Sequence, residues 1–309
     1  MKRVVSVSLG SSKRNHAVEA EFLGEKFSIE RIGTDGDLGL AISMIKEMDG
    51  KVDAFGMGGI DLYLVAGKRR YMLRDGRRIA RAAKKTPIVD GSGLKNTLER
   101  RVIRYLSREA GMSFKGKRVL MVAGTDRFGM SEALAEEGAE ITFGDLIFGL
   151  GIPIPIRSLR TLEMAAMCLA PLVAQLPFSM LYPTGKKQEE MVPRYSQYYH
   201  AADIIAGDFH YIKRHLPMKL EGQTIITNTL TAEDIEMLKN RGAGMVISTT
   251  PEMEGRSFGT NVLEGVLVVL SGKLPAQITE REYNELLDKM EIKPRIISFV
   301  SKSSKVSAP

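Results

Sequence analysis

In 309 positions the sequence has one cysteine, no tryptophan, four histidines and only 6% aromatic residues. The single thiol, Cys168, rules out an internal disulfide framework and suits a reducing cytoplasm. It sits in an apolar helical run, where it reads as core packing and not as a nucleophile. No His, Cys and carboxylate set has the spacing of a metal site, so no structural metal is expected. Long apolar runs are also missing. The longest apolar helix candidate, Leu159 to Leu176, holds Arg160, Glu163, Pro171 and Gln175, which argues against a membrane span. The N-terminal run VVSVSLG is short and alternates with serine, a strand and not a signal peptide. What remains is a chain of ordinary globular composition, 44% hydrophobic and 26% charged, long enough for two domains.

The stretch from Lys117 to Asp145, KRVLMVAGTDRFGMSEALAEEGAEITFGD, gives the reading its centre. An apolar strand (Val119 to Ala123) turns at Gly124, reaches Gly129, continues as an Ala/Glu/Leu-rich helix, stops at Gly138 and re-enters a strand ending at Asp145. That is a βαβ unit with the punctuation of a nucleotide-binding half. Free N–H groups at the helix start can hold a phosphate, which makes Gly124, Thr125, Asp126, Gly129 and Met130 the candidate cofactor loop. Asp145, about 20 residues past Gly124, stands where an acid accepts a ribose hydroxyl. One position departs from G-x-G-x-x-G: Asp126 brings a side chain and a charge where the second glycine belongs.

Before this unit, residues 4 to 32 read as three short strands in an antiparallel meander, with the loop Gly10 to Arg14 as a plain hairpin turn or as a loop that holds a phosphate through backbone and hydroxyl donors, without the full G-x-x-x-x-G-K-S/T pattern. Asp37 is a good N-cap for a helix from Leu38 to Met48. The strand from Val52 runs into Gly56, Gly58 and Gly59, which bring the backbone close to a neighbouring element or a ligand. Asp61 at its exit is a site residue or a turn cap. A basic hairpin and a helix from about Asp75 to Ala83 follow. The strand ending at Asp90 meets Gly91-Ser92-Gly93, where a helix from Leu94 to Ala110 begins. Asp90, Ser92, Lys95 and Asn96 converge there, with Lys95 as general acid/base or anion anchor, or simply as a solvent-facing group behind an N-cap.

After Asp145, the prolines of GLGIPIPI make residues 149–156 a loop or edge segment. The irregular stretch 177–200, with Gly185-Lys186-Lys187 at its tip and Tyr182, Tyr195, Tyr198 and Tyr199 beside it, reads as a lid or binding loop. Strands follow at 202–207, 223–228 and 245–249, with a helix from Ala232 to Arg241. Their ligand-side ends carry Asp208 and His210, Asn228 and Thr229, then Thr249 and Thr250. His210 beside an aspartate is a candidate base. Arg256 and Asn261 sit in a loop before an apolar helix, Val262 to Leu270, and make an anion cradle. Thr279 with Glu282 forms a capping box for a helix to Met290. A last strand runs from Arg295 to Val300.

The net charge of +7 is uneven: from Lys68 to Arg108, 14 Lys/Arg face 3 acids. This implies an anionic partner or a solvated basic face. No nucleic-acid-binding signature accompanies it, so nucleic acid is not favoured as a partner.

The expected fold class is α/β: an N-terminal mixed α/β domain (1–114, the candidate substrate domain), then a Rossmann-like doubly wound parallel sheet (115–272, with an insertion at 150–200), then a C-terminal helix and tail (273–309). This order of parts resembles the shikimate and quinate dehydrogenases, and the chain is similar over most of its length to bacterial proteins labelled quinate 5-dehydrogenase. The resemblance implies a cytoplasmic NAD(P)-dependent oxidoreductase of a small hydroxy acid. A lysine and an aspartate would bracket the reacting hydroxyl, here Lys95 with Asp61 or Asp90. The family's asparagine-threonine-aspartate motif is not present, since Asn96-Thr97 is followed by Leu98. NAD is favoured over NADP because Asp145 repels a 2′-phosphate. The alternative is a Rossmann-like protein that binds a nucleotide or another anionic metabolite without redox chemistry. A regulatory module contacting an acidic partner through residues 68–108 is a third class. The oligomeric state is left open, a homodimer included.

Overall fold

The computed structural model describes residues 1–66, 69–177, 191–253, 256–257 and 259–299; side chains at 65, 66, 69, 70, 252, 253, 256 and 257 are outside the description. The expected lid tip at Tyr182 and 185–187 therefore lies outside the described residues.

The first half contains β1 (Lys2–Ser8), β2 (His16–Phe22), β3 (Glu25–Gly33), α1 (Leu38–Met48), β4 (Ala54–Gly58), the hairpin β5 (Tyr63–Ala66) and β6 (Arg69–Met72), α2 (Arg74–Ala80), β7 (Ile88–Val89) and α3 (Ser92–Arg108). One sheet forms in the order β2-β3-β1-β4-β7. The expected meander is not what forms: only β2 and β3 make an antiparallel hairpin, while β1 runs parallel to β3 and β4. Burial explains the correction. Val4 packs with Ile29 and Ala54 on one face of β1, and Val5 and Val7 pack with Ala41 and Ile45 of α1 on the other. A strand covered on both faces belongs in the middle of a parallel sheet, and half-exposed β2 takes the edge.

The second half contains β8 (Arg118–Met121), α4 (Phe128–Glu136), β9 (Glu140–Phe143), a π turn at Asp145–Gly149, α5 (Leu159–Val173), α6 (Ser196–Ala201), β10 (Ile204–Ala206), α7 (Phe209–His215), β11 (Thr224–Thr227), α8 (Ala232–Asn240), β12 (Met245–Ser248), the hairpin β13 (Glu252–Met253) and β14 (Arg256–Ser257), α9 (Thr260–Ser271), α10 (Glu280–Lys289) and β15 (Arg295–Ser298). Its sheet has the order β15-β12-β11-β10-β8-β9, parallel except for β15. The fold class is thus α/β, with a Rossmann-like parallel sheet following a mixed one. From β8 the chain goes out to β9 and then returns to β10 on the other side of β8. The topological switch point falls between β8 and β10, where such sheets bind ligands.

Three helices tie the halves together. Leu94 and Leu98 of α3 pack with α9 and α10, whereas Val102, Ile103 and Leu106 pack against α4 and the second sheet. Leu162 of α5 belongs to the second core, and Ala174, just past its end, to the first. Helix α9 falls within the stretch assigned by sequence to the second domain, yet Val262 and Val266 cover the first sheet beside Val4 and Ala54. Gly91 admits this helix. Its φ is +91°, and a Cβ there would meet the Asn261 backbone nitrogen at 2.9 Å. Gly91→Ala is expected to cost at least about 1–2 kcal/mol from the left-handed backbone alone, read as a lower urea midpoint; an unchanged midpoint would count against the close approach.

Part of the basic excess at 68–108 is neutralised inside the molecule. Arg100 and Arg104 of α3 pair with Glu132 and Glu136 of α4, and Arg101 with Asp288 of α10. The acidic partner expected for this face is, for these three residues, the protein itself.

Candidate functional site

The carboxyl ends of both sheets point at a common cleft. Ser8 ends β1, Gly58 ends β4, and Asp126, Asp208 and Asn228 follow β8, β10 and β11. A cavity of about 240 Å3 lies between them, lined also by Lys95 from α3 and by Gly259 to Val262 at the start of α9. It is smaller than the about 300–1,000 Å3 of drug-sized pockets, so it fits a small metabolite and not a whole dinucleotide. A second cavity of about 740 Å3 lies beside β8, β9 and α5. Lys95, Asp126, Tyr211 and Arg214 line both.

Lys95 is at the centre of this cleft. It is only 9% exposed, with Nζ 2.7 Å from Asp126 Oδ1 and 3.4 Å from Asp61 Oδ1. Burial alone would push its pKa down; Asp126 and Asp61 outweigh burial and hold it above the ordinary lysine range. Such an ammonium keeps its proton at neutral pH. It can hold an oxygen that gains negative charge, but it is a poor general base. A lysine so held suits the anion-anchor role read for it better than that of a general base. Asp90, the other expected partner, points elsewhere: it accepts from the backbone N–H groups of Leu62 (2.5 Å) and Ser92 (2.9 Å). It shapes the turn before α3, although it lines the cavity wall.

Behind Lys95 is Arg127, a residue the sequence reading passed over. Its side chain is 4% exposed and touches three carboxylates: Glu99 of α3, Asp208 at 2.7 Å, and Asp126, whose Oδ2 is 3.1 Å from Nε. The last is a charge contact and not an aligned hydrogen bond. Asn228 Nδ2 donates to the same Asp208 oxygen at 2.8 Å, and Asp208 Oδ1 caps α7 by accepting from the His210 N–H. Burial would raise Asp126 and Asp208, but Lys95 and Arg127 hold Asp126 low, and Arg127 and His210 hold Asp208 low. Glu99 goes the other way, pushed up by burial against the pull of Arg127. Glu99 is a carboxylate on the buried face of α3 and Arg127 the residue before the first turn of α4, and nothing in their spacing pairs them.

The cleft mouth is basic. Arg14 NH1 lies 3.3 Å from His210 Nε2. A guanidinium only donates, so the imidazole accepts at Nε2 and carries its proton on Nδ1. His210 is exposed to the cleft, yet the surrounding protein strips water from the ring and pushes its pKa down; Asp208 pulls it up, and Arg14 adds to the push. Arg214 also faces the cavity, and its buried Nε has no hydrogen-bond partner among the described residues. Tyr211 has its pKa raised by burial and by Asp126, Asp208 and Asp61, and stays a neutral phenol. Arg14 closes the Gly10 to Arg14 loop, whereas Tyr211 and Arg214 belong to no sequence motif, and only the fold brings the three together.

Sequence placed a dinucleotide on Gly124, Thr125, Asp126, Gly129 and Met130 with its ribose on Asp145, and here the geometry does not fit. Asp145 accepts from Gly124 N (2.9 Å), Thr125 N (2.9 Å) and Thr125 Oγ1 (2.7 Å). The N–H groups that would cradle a pyrophosphate thus hold the protein's own carboxylate. At the helix start Gly129 N donates to Asn96 Oδ1 at 2.9 Å, and a Gly129 Cβ would meet the Asn96 backbone at 2.6 Å. Gly129 serves close packing of α4 on α3, not approach by a ligand. Met130 is buried in the core.

The remaining candidates divide. Asn261 reaches the small cavity and donates to Ser6 Oγ at 2.8 Å. Ser92 and Asn96 line the larger cavity. Thr249 and Thr250 are buried, their hydroxyls without partners among the described residues, and neither lines the two cavities. The Arg256 side chain lies outside the description. Among the described residues no cluster of His, Cys, Asp and Glu could hold a metal, and no helix is long and apolar enough to cross a membrane.

No curated protein shows significant sequence similarity to the chain. Among solved structures it is similar to a galactofuranose binding protein (12% identity, covering 94% of this chain and 99% of that one, TM-score 0.35). It is also similar to the NAD-dependent malic enzyme of Thermotoga maritima (11%, 94% and 84%, 0.33) and to L-tryptophan dehydrogenase from Nostoc punctiforme (12%, 94% and 80%, 0.37). Likeness this distant carries no argument about what the chain binds. Residues 3–90 match the domain of unknown function DUF8753. Residues 93–299, about two thirds of the chain, match the domain of unknown function DUF8754, and the protein belongs to that family.

Proposed function

We propose that the protein binds a small anionic, hydroxyl-bearing metabolite in the 240 Å3 cleft and activates it by proton transfer. One observation carries this reading: Lys95 and Arg127 are satisfied by carboxylates, whereas Arg14 and Arg214 face the cavity with no carboxylate among their hydrogen-bond and ion-pair partners in the described residues. These two guanidiniums are suited to a carboxylate or phosphate. Lys95 then stabilises the ligand oxygen that gains negative charge. An anion that draws Arg14 away frees Nε2 of His210, which becomes the proton acceptor.

The test is thermal unfolding with a panel of hydroxycarboxylates, sugar phosphates and inorganic phosphate. A ligand at a hundredfold excess over its dissociation constant stabilises by about 2.7 kcal/mol. Arg214→Gln is expected to weaken the effective ligand by about 10- to 150-fold, as loss of a hydrogen bond to a charged group implies. A shift produced only by neutral or cationic compounds would sink the reading. Anion binding is also expected to raise the pKa of His210, seen in an NMR titration of the four histidines. A value unchanged by the anion would remove His210 from the mechanism.

Oxidation of a quinate- or shikimate-like hydroxyl with NAD, or NADP, is the second reading. It is supported by the 740 Å3 cavity, which adjoins the first at Lys95 and Asp126. It requires Asp145 to release Gly124 and Thr125, or the dinucleotide to lie elsewhere than on that loop.

A further inference from the structure

From Met164 onward, helix α5 is apolar all round. Leu162, Ala165, Ala166, Ala170 and Val173 face inward along the larger cavity, while Met164, Met167, Cys168, Pro171 and Leu172 stand exposed at spacings of three and four on the outer face. From Met164 to Leu176 there is no charged residue. A helix with apolar residues on every side is normally buried on every side. Cys168, read from sequence as core, is exposed because it lies on this outer stripe.

The patch extends beyond the helix. Leu150, Ile152 and Ile154 of the preceding loop are exposed too, and Leu150 lines the same cavity as Leu169 and Leu176. Together these are eight large apolar side chains, each 37–70% open, of which Leu150, Leu169 and Leu176 open onto the cavity. The other five present on the order of 400 Å2, within what a monomer displays and about half of the about 800 Å2 per partner in a standard interface.

We infer that this face is the contact between two copies of the chain, packed antiparallel through α5 about a two-fold axis. The stripe suits itself. It is uncharged, and Met164 and Leu172 are equidistant from Cys168, so a two-fold through Cys168 sets Met164 against Leu172 of the partner subunit. Packed helices at the usual spacing bring facing Cα atoms to about 3–5 Å, overlapping the about 4.4–6.8 Å a disulfide spans. The two Cys168 thiols then face each other across the axis.

Light scattering behind size exclusion is expected to give twice the chain mass at about 10–100 μM, above the micromolar end of the affinities that interfaces of standard size show. Met164→Glu and Leu172→Glu, both at exposed positions, are each expected to return the monomer with an unchanged circular dichroism spectrum. Mild oxidation with copper phenanthroline is expected to give a dimer band that thiol reverses and Cys168→Ser removes. A monomeric wild type overturns the proposal. So does a dimer that survives both glutamate variants, or flotation of the wild type with lipid vesicles through this patch. None of these readouts depends on the ligand proposed for the cleft.

Discussion

Arg127→Met is expected to destabilise the protein by about 3–5 kcal/mol, the range for removing one partner of a buried charge cluster. The guanidinium is the contact shared by Glu99, Asp126 and Asp208, which come from α3, the β8–α4 turn and the β10–α7 turn. Without it Lys95 alone faces the carboxylates that remain. The pH dependence should steepen as well, because in the wild type only Glu99, raised by burial, favours lower pH. In the wild type Asp126 and Asp208 are held below the ordinary carboxylate range. Their contribution is complete above the unfolded value of about 3.9 and is lost as pH falls through their folded values. In the variant, burial without the arginine raises these groups, so stability should increase as pH falls from 7 towards 4. Urea unfolding at pH 7.5 and pH 5 checks both statements. A loss under about 1 kcal/mol, or an unchanged slope, would show that the cluster is not coupled through Arg127.

Asp145→Ala is the second large effect, and its sign separates the two functional readings. The substitution removes three hydrogen bonds to a carboxylate and is expected to cost about 2 kcal/mol without ligand. It also frees the N–H groups of Gly124 and Thr125. If Asp145 fills the anion berth, millimolar pyrophosphate or NAD should raise the midpoint of the variant and leave the wild type unmoved. The reverse result, a wild type stabilised by NAD and a variant that is not, would make Asp145 a ribose acceptor. It would then favour the dehydrogenase reading.

That the same aspartate supports opposite expectations shows what the sequence carries. Spacing puts Asp145 at the end of a second strand, and the strand is there. Whether its carboxylate points out to a ligand or back to Gly124 depends on the π turn at Asp145–Gly149, which no local pattern announces. Lys95, Asp61, Asp126, His210, Asn228 and Asn261 were legible because polar residues after strands or before helices project into clefts, and all six line the small cavity. Arg14 was legible only as the end of a loop able to hold a phosphate, and Tyr211, Arg214 and Arg127 were not legible. Tyr211 and Arg214 lie in a helix and Arg127 in the turn before one, where a charged or aromatic residue is the usual solvated one, and only tertiary contact distinguishes them. The same limit applies to the fold. The hairpin of β2 and β3 follows from adjacent residues, whereas the parallel pairing of β1 with β4 joins Val4 to Ala54, a separation at which turn chemistry says nothing.

Helix α9 has a consequence for biosynthesis. The face of the first sheet bearing Val4, Ile29 and Ala54 is covered by Val262 and Val266, about 200 residues further along the chain. At about 5–20 residues per second the ribosome needs about 10–40 s to supply them. For that interval a nascent sheet already able to pair its strands exposes one oily side. A chaperone that shields emerging chains should therefore raise the yield of this chain, and a version that stops before Thr260 should yield insoluble product.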